Sequence, residues 1–353
     1  MSEKQKTIKQ KISVTGIGLH TGIESTLTFV PAKEDFGIKF QRVDLKDKPI
    51  LRADADLVSH TNRGTTIKQK DVYVHTTEHV LAAITGAGID NLLIEINAIE
   101  VPILDGSSVE FTKTLNKARI ISQEKDKSYY KVTKNISCKD EQTGSEIIIK
   151  PSKTFKVSVE IDYNSNILLK QEASLNHLSE FENEISSSRT FCFLHELENL
   201  LDDDLIKGGD LNNAIVIVDE NIDKNALNKL AKSFKKENIA IQKKGILNNL
   251  ELRYPNEPAR HKLLDVIGDI TLAGQNIKGH IIAKKPGHTI NIAFAKKIKK
   301  IMKQDMENTA PEIDLNTEPL YDKEKIKTIL PHREPFLFID EIREIGDDFI
   351  IGT

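Results

Sequence analysis

The sequence predicts an α+β protein built from two similar α/β units. A helix that stops at a glycine and leads into an apolar strand occurs twice, at 76–96 and at 256–284, with a histidine early in each helix. A polar, charged stretch at Gln123–Tyr129 separates the two and marks a boundary. The chain has 353 residues, and at roughly 100–200 residues per domain this length accommodates two to three domains.

Taken in order, Lys11–Val14 and Glu24–Phe29 read as strands. Between them runs Gly16-Ile17-Gly18-Leu19-His20-Thr21-Gly22, whose glycines mark a tight turn of close approach. Thr76–Ile84 reads as a helix with a threonine N-cap, Glu78 in the first turn and Gly86 as the stop. Asn91–Ile96 is a short apolar strand. Ser107 and Glu110 have the spacing of a capping box and open a helix to about Ala118. These elements make a first unit, 1–126, and the second spans 127–303. Lys156–Asp162 alternates as a strand, and Ile215–Val218 is a strand of the buried type. Asp219–Leu250, rich in lysine and asparagine, reads as a surface insertion with a helical core at Ala226–Lys236. Asn256–Gly274 reads as a long helix, with Asn256 as cap, Pro258 in the first turn and Gly274 as terminator. The strand Ile277–Lys284, the loop Pro286-Gly287-His288-Thr289 and a further strand, Ile290–Phe294, follow. Lys296–Lys303 reads as a solvated basic helix end. Residues 304–320 read as a linker, and apolar alternation restarts over 321–353.

Composition excludes several classes. Hydrophobic residues at 39% and charged residues at 29% argue against global disorder. The net charge of -3 offers no basic excess for nucleic acid. Cys138 and Cys192 are too few for a disulfide framework or an all-thiolate zinc site. No run of about 18 apolar residues is present to span a membrane, and the polar start carries no signal peptide. A reducing, cytoplasmic setting is expected.

Chemistry concentrates at the histidines. A catalytic zinc takes three protein ligands and keeps one position open for water. Two histidines and a carboxylate meet that need, with a second carboxylate as general base and a further histidine as general acid. Glu78, His79, His261, Asp265 and His288 would supply those five roles. Spacing alone leaves other readings open. His261 and Asp265 lie four apart on one helix face, which also suits a surface pair, and His79 also suits a capping region. Cys192 is discounted as a nucleophile: a catalytic thiol needs a base and an electropositive niche, and the neighbouring Ser188–Phe191 segment explains its position without one.

The surrounding segments are more specific. They are Gly16–Gly22, Thr77-Glu78-His79, Pro102–Ser108, Ser188-Arg189-Thr190-Phe191, Lys207-Gly208-Gly209, Leu252–Glu257, Arg260-His261-Lys262 with Asp265 and Gly268-Asp269, and Gly287-His288. In this order, from about residue 7 to about residue 300, they resemble the UDP-3-O-acyl-N-acetylglucosamine deacetylases, the zinc amidases of lipid A biosynthesis. The resemblance implies two α/β two-layer sandwich domains with the zinc site between them. It implies His79, His261 and Asp265 as zinc ligands, Glu78 as the carboxylate that activates water, and His288 as the cationic acid. Thr190 and Lys262 match residues at the oxyanion or the nearby substrate. Phe191, Lys207, Gly208 and Gly209 match the rim that contacts sugar and acyl chain. Asp162 and Tyr163 match a pair near the nucleotide, and His20 lies in a family motif without an assigned role. The segment at about 191–218 would be an inserted β-α-β whose helix, Phe193–Leu201, lines the acyl passage. Its apolar stripe of Phe193, Leu197, Leu200 and Leu201 by pattern alone favours a plain core-facing helix. The implied reaction is removal of acetate from UDP-3-O-[(3R)-hydroxyacyl]-N-acetylglucosamine.

Ile329–Asp340 resembles the start of the 3-hydroxyacyl-[acyl-carrier-protein] dehydratases, which have a hot-dog fold. That family's catalytic residues come later than this point, so 321–353 reads as an incomplete hot-dog segment and His332 is not a catalytic candidate. Acyl carrier protein is expected as a partner only through that segment. An extension without a core of its own is the other reading of the tail.

Overall fold

The computed structural model describes residues 2–196, 207–210, 213–218, 245–247, 250–307, 317–345 and 350–353. Strands β1 (Lys4–Ile8), β2 (Ile12–Ile17), β3 (Glu24–Pro31), β4 (Ile38–Arg42) and β5 (Ile50–Arg52) come first. A small antiparallel sheet of β6 (Val58–His60), β7 (Thr66–Gln69) and β8 (Val72–Val74) leads to α1 (Glu78–Gly86), β9 (Leu92–Ile96), α2 (Val109–Lys117) and β10 (Ile120–Asp126). Next come β11 (Tyr129–Lys131), β12 (Ile136–Asp140), β13 (Ser145–Pro151), β14 (Lys156–Ile161), β15 (Gln171–Leu175) and α3 (Phe181–Glu184). Then follow β16 (Phe191–Phe193), β17 (Ile215–Ile217), α4 (Glu257–Thr271), β18 (Asn276–Lys284) and α5 (His288–Glu307). The chain divides into a unit at Met1–Lys300 and a unit at Ile301–Thr353.

Two sheets of the larger unit share one topology. Their strand orders are β2-β3-β9-β4-β5 and β12-β13-β18-β14-β15. In each, the third and fourth strands pair in parallel and the other neighbours along these orders are antiparallel; β11 adds a second parallel pairing to β18. A parallel pair requires a crossover. In both sheets a helix, α1 or α4, enters immediately before the central strand. Alternation along β3 and β9 buries Leu27, Phe29, Leu92, Ile94 and Ile96, and along β13 and β18 it buries Ile147, Ile149, Ile281 and Ala283.

Helices α1 and α4 pack against each other, and glycine sets how closely. A Cβ at Gly268 would lie 2.1 Å from the carbonyl oxygen of Glu78, so only glycine lets the first turn of α1 rest on α4. A Cβ at Gly86 would lie 2.0 Å from the ring of Phe181, which is fully buried.

Several local expectations change. Gly86 is the last helical residue of α1 rather than its stop; the helix ends at Ala87, and Gly88 takes the left-handed backbone. Thr77 does not cap, because its hydroxyl donates to Thr65 O at 3.1 Å. Ser107 and Glu110 form no capping box: the Ser107 hydroxyl donates to Asp105 while Glu110 pairs with Lys113. The Asn256 side chain is likewise diverted, to Glu172 O and Arg260. The expected strand Ile290–Phe294 is helical, the first turns of α5. Ile290, Phe294 and Ile298 are buried at four-residue spacing, and five apolar-rich residues fit either period. That helix also continues to Glu307, into the expected linker. Phe193 ends β16, and the helix expected from it begins at Leu194. The rest of that helix at 197–201, most of the insertion (219–244, 248 and 249) and linker residues 308–316 lie outside the described residues. Strands β16 and β17 pair in parallel.

In the smaller unit, α6 (Lys323–Ile329) is capped by the Asp322 carboxylate, which accepts from Lys325 N–H at 2.8 Å. Strands β19 (Ile342–Ile345) and β20 (Ile350–Gly352) pair antiparallel. Ile326, Leu337 and Ile351 are buried, while Phe336 and Phe338 stand exposed. Among the described residues no helix is long and apolar enough to cross a membrane.

Replacing a helical glycine by alanine ordinarily stabilises by about 1 kcal/mol. Gly86→Ala is expected to do the opposite, lowering stability by about 1–3 kcal/mol in urea unfolding, because the added methyl overpacks against Phe181.

Candidate active site

The packing of α1 on α4 brings two helix turns face to face. Glu78 and His79 open α1, and His261 and Asp265 stand one turn apart on α4. Asp265 Oδ1 lies 3.4 Å from His261 Nε2 and 3.7 Å from His79 Nε2. The ligand atoms of these three residues all fall within 4.8 Å of one another, and all three residues are buried. The surface-pair reading of His261 and Asp265 is thereby overturned: packing of α1 over this face of α4 leaves Asp265 only 2% exposed.

The donor set suits a cation. Asp265 Oδ1 is buried and makes no hydrogen bond among the described residues, a costly arrangement for an anionic oxygen without a positive partner. His261 Nδ1 donates to Ser188 O at 3.1 Å, which leaves Nε2 with its lone pair toward Asp265. Burial, reinforced by His261, pulls His79 down to about 3, and burial also lowers His261, so both rings are neutral. Burial works to raise Asp265, but His261, Lys262, His288 and His79 outweigh it and hold the carboxyl well below the usual range. Lys262 Nζ lies 2.9 Å from Asp265 Oδ2 and stays charged.

A carboxyl group, Glu78, and an imidazole, His288, flank this cluster. Burial, with Asp269 and Asp265 nearby, pushes Glu78 up to about 7, against the pull of His288 and of the Thr65 N–H that donates to its Oε2 at 2.9 Å. His288, the first residue of α5, has Nδ1 2.9 Å from Asp269 Oδ2. Burial works to lower His288, but Asp269 and Asp265 prevail and raise it to about 9. Asp269 also accepts from the Thr65 hydroxyl at 2.5 Å and from Asn291 Nδ2 at 2.9 Å.

These groups face a cavity of about 370 Å³. Of the residues expected from sequence, His20, Tyr163, Thr190, Phe191, Gly209 and Lys262 line it beside Glu78, His79, His261, Asp265 and His288. Tyr163 meets the Phe191 and Phe193 rings edge-on at 5.6 and 5.5 Å. Asp162, Lys207 and Gly208 do not line it. Asp162 faces Lys285 at 3.4 Å, while Gly208 N–H donates to Leu19 O at 3.0 Å and sits against the Gly18–Gly22 turn. Cys192 is a poor nucleophile, since burial pushes its thiol up to about 12.

Sequence reasoning left Asp269 without a role, although its place four residues after Asp265 on the same helix face was readable. It also left out the buried pair of Arg189 with Glu257, which meets at 2.8 Å. Glu257 accepts from Arg189 N–H and Arg253 N–H as well, pinning the Ser188 and Thr190 segment to the start of α4. No local pattern joins residues 68 positions apart.

Comparison with known proteins gives a consistent picture. The UDP-3-O-acyl N-acetylglycosamine deacetylase family matches residues 5–237 and 219–300. The chain is 45% identical over 351 residues to the bifunctional enzyme LpxC/FabZ of Porphyromonas gingivalis, covering 99% of this chain and 76% of that protein. It is 43% identical over 347 residues to the bifunctional enzyme LpxC/FabZ of Chlorobaculum tepidum, covering 98% and 74%. To the UDP-3-O-acyl-N-acetylglucosamine deacetylase of Thermodesulfovibrio yellowstonii it is 38% identical over 295 residues, covering 83% and 91%.

If the three convergent side chains hold a divalent ion, Asp265→Asn should weaken its retention by at least about 10- to 100-fold, measured by competition with a chelator. The control Asp162→Asn, at a half-buried carboxylate paired with Lys285 outside the cavity, should leave retention unchanged.

Proposed function

The chain belongs to the UDP-3-O-acyl N-acetylglycosamine deacetylase family, and from that premise we propose which of its residues do the chemistry. Its reaction is hydrolysis of the N-acetyl group of a UDP-3-O-acylated N-acetylglucosamine, with release of acetate, in lipid A biosynthesis. The observation that carries the assignment is the convergence of His79 Nε2, His261 Nε2 and the unbonded Asp265 Oδ1 beside Glu78.

His79, His261 and Asp265 would hold zinc, which when bound would supply a Lewis acid at this site. Glu78, adjacent to a ligand in sequence, takes the proton from the attacking water, a role its elevated pKa suits. Thr190 and Lys262 stabilise the oxygen on which negative charge develops. His288, kept cationic by Asp269, adds to that stabilisation and then protonates the departing amine, a poor leaving group until it is charged. Phe191, Tyr163, Gly209 and His20 form the walls against which the substrate is oriented, with Lys207 and Gly208 at the rim and Asp162 toward the nucleotide.

The two sheets that share a topology support two α/β sandwich domains, 1–126 and 127–303, with this site between them and an inserted unit at about 191–218. Residues 321–353 correspond to the opening of a hot-dog dehydratase segment, supported by the fusion relatives, and any contact with acyl carrier protein belongs to that segment. The biosynthetic family supports a cytoplasmic setting.

A base near 7 and an acid near 9 generate a bell. Activity rises as Glu78 ionises through about pH 7 and falls as His288 loses its proton through about pH 9. Asp269→Asn removes the charge that raises His288, so the basic limb should move to lower pH. Glu78→Gln should reduce acetate release by about 10²–10⁴-fold. The test is acetate release from the UDP-sugar alongside zinc content. Zinc-loaded protein that released no acetate would overturn the reaction, and full activity of Glu78→Gln would overturn the base assignment.

A further inference from the structure

The Gly18–Gly22 turn closes around a single buried carboxylate. Glu100, in the loop after β9, is 1% exposed. Its Oε1 accepts from His20 N–H at 3.0 Å and from the Thr76 hydroxyl at 3.1 Å. Its Oε2 accepts from Thr21 N–H at 2.9 Å and from the Thr21 hydroxyl at 2.8 Å. A Cβ at Gly18 would lie 2.5 Å from Glu100 Oε2 and 2.7 Å from Thr21 Oγ1, so this wrapping requires glycine there. One end of the network is Thr76, two residues before Glu78. The other is the turn, in which Leu19 O accepts from Gly208 N–H at 3.0 Å. Leu19 and His20 line the cavity and Glu100 does not.

We infer that Glu100 is a positioning residue for substrate binding, acting through the His20 turn. Its carboxylate fixes that turn relative to the entry of α1, and the turn in turn seats the Lys207–Gly209 rim. The inference rests on the deacetylase reading for the identity of the substrate, a UDP-linked acylated sugar. The chemistry demands a carboxylate, because all four groups bonded to it, from His20, Thr21 and Thr76, donate. In Glu100→Gln the new NH₂ faces donors at one of the two oxygen positions. The threonine hydroxyls can rotate to accept, but a backbone N–H cannot, so His20 or Thr21 N–H loses its buried partner.

The experiment compares the zinc-loaded wild type with Glu100→Gln. KM for the UDP-sugar should rise about tenfold with kcat within about threefold, the scale of one buried donor left unpaired. Zinc content and both limbs of the pH profile should stay in place. In hydrogen exchange, the amides of His20 and Thr21 should lose protection while those of α1 keep theirs. Gly18→Ala should reproduce the pattern from the other side of the contact. An unchanged KM would overturn the inference, as would loss of kcat in proportion to lost zinc, which would make Glu100 merely structural. If the wild type released no acetate, the deacetylase reading would fall. The inference would then stand or fall on the His20 and Thr21 exchange rates. If Glu100→Gln does not fold, Thr21→Val removes one of the four bonds, and a KM rise of about threefold is then the expected result and no rise the overturning one.

Discussion

The approach of α1 to α4 is the contact on which the site depends. With Gly268 beneath the Glu78 carbonyl, the first turn of one helix lies on the middle of another. Residues nearly two hundred positions apart then share a few ångströms: Glu78 and His79 from one side, His261, Asp265 and Asp269 from the other. A side chain at 268 would push the helices apart and separate His79 from His261 and Asp265. The rest of the larger unit can be understood as holding this contact, with one sheet carrying α1 and its topological counterpart carrying α4.

That contact has an electrostatic cost. Five ionisable side chains, Glu78, His79, His261, Asp265 and His288, are gathered out of water. Burial of an ion is expensive unless it is paired and hydrogen-bonded. Each resolves the cost differently. His79 and His261 become neutral, His288 is matched to Asp269, and Asp265 is held anionic by the positive groups around it. Glu78 is left near neutrality, where a small change in pH changes its charge. The same low-dielectric environment that threatens stability therefore leaves a carboxyl group and an imidazole with separated proton affinities.

Around the reacting groups, buried carboxylates saturated with hydrogen bonds keep the geometry. Asp269 orients His288, Glu257 pins the backbone that orients His261, and Glu100 gathers the turn at the cavity wall. Each accepts bonds from backbone N–H groups or side chains of distant segments. Each therefore ties loops to helices that local propensity alone would leave independent.

The candidate ligands, base and acid were legible in the sequence because ordered motifs over nearly three hundred residues carry more information than any single spacing. The helices that bear the ligands and the base, α1 and α4, were legible in the sequence, whereas α5, which begins at His288, was read as a loop and a strand. Local chemistry was less reliable. Thr77, Ser107 and Asn256 have capping side chains, but tertiary partners compete for their hydrogen bonds. Ile290–Phe294 carries a pattern too short to separate strand from helix, and burial of Ile290, Phe294 and Ile298 decides it. By itself the sequence determined which residue types are available and on which elements they lie, because periodicity and capping are properties of neighbours along the chain. Only the tertiary structure decided that His261 and Asp265 are buried rather than a surface pair, that Asp269 serves His288, and that Glu100 holds the His20 turn. Those facts depend on groups meeting across long separations in chain, and no local rule encodes such distances.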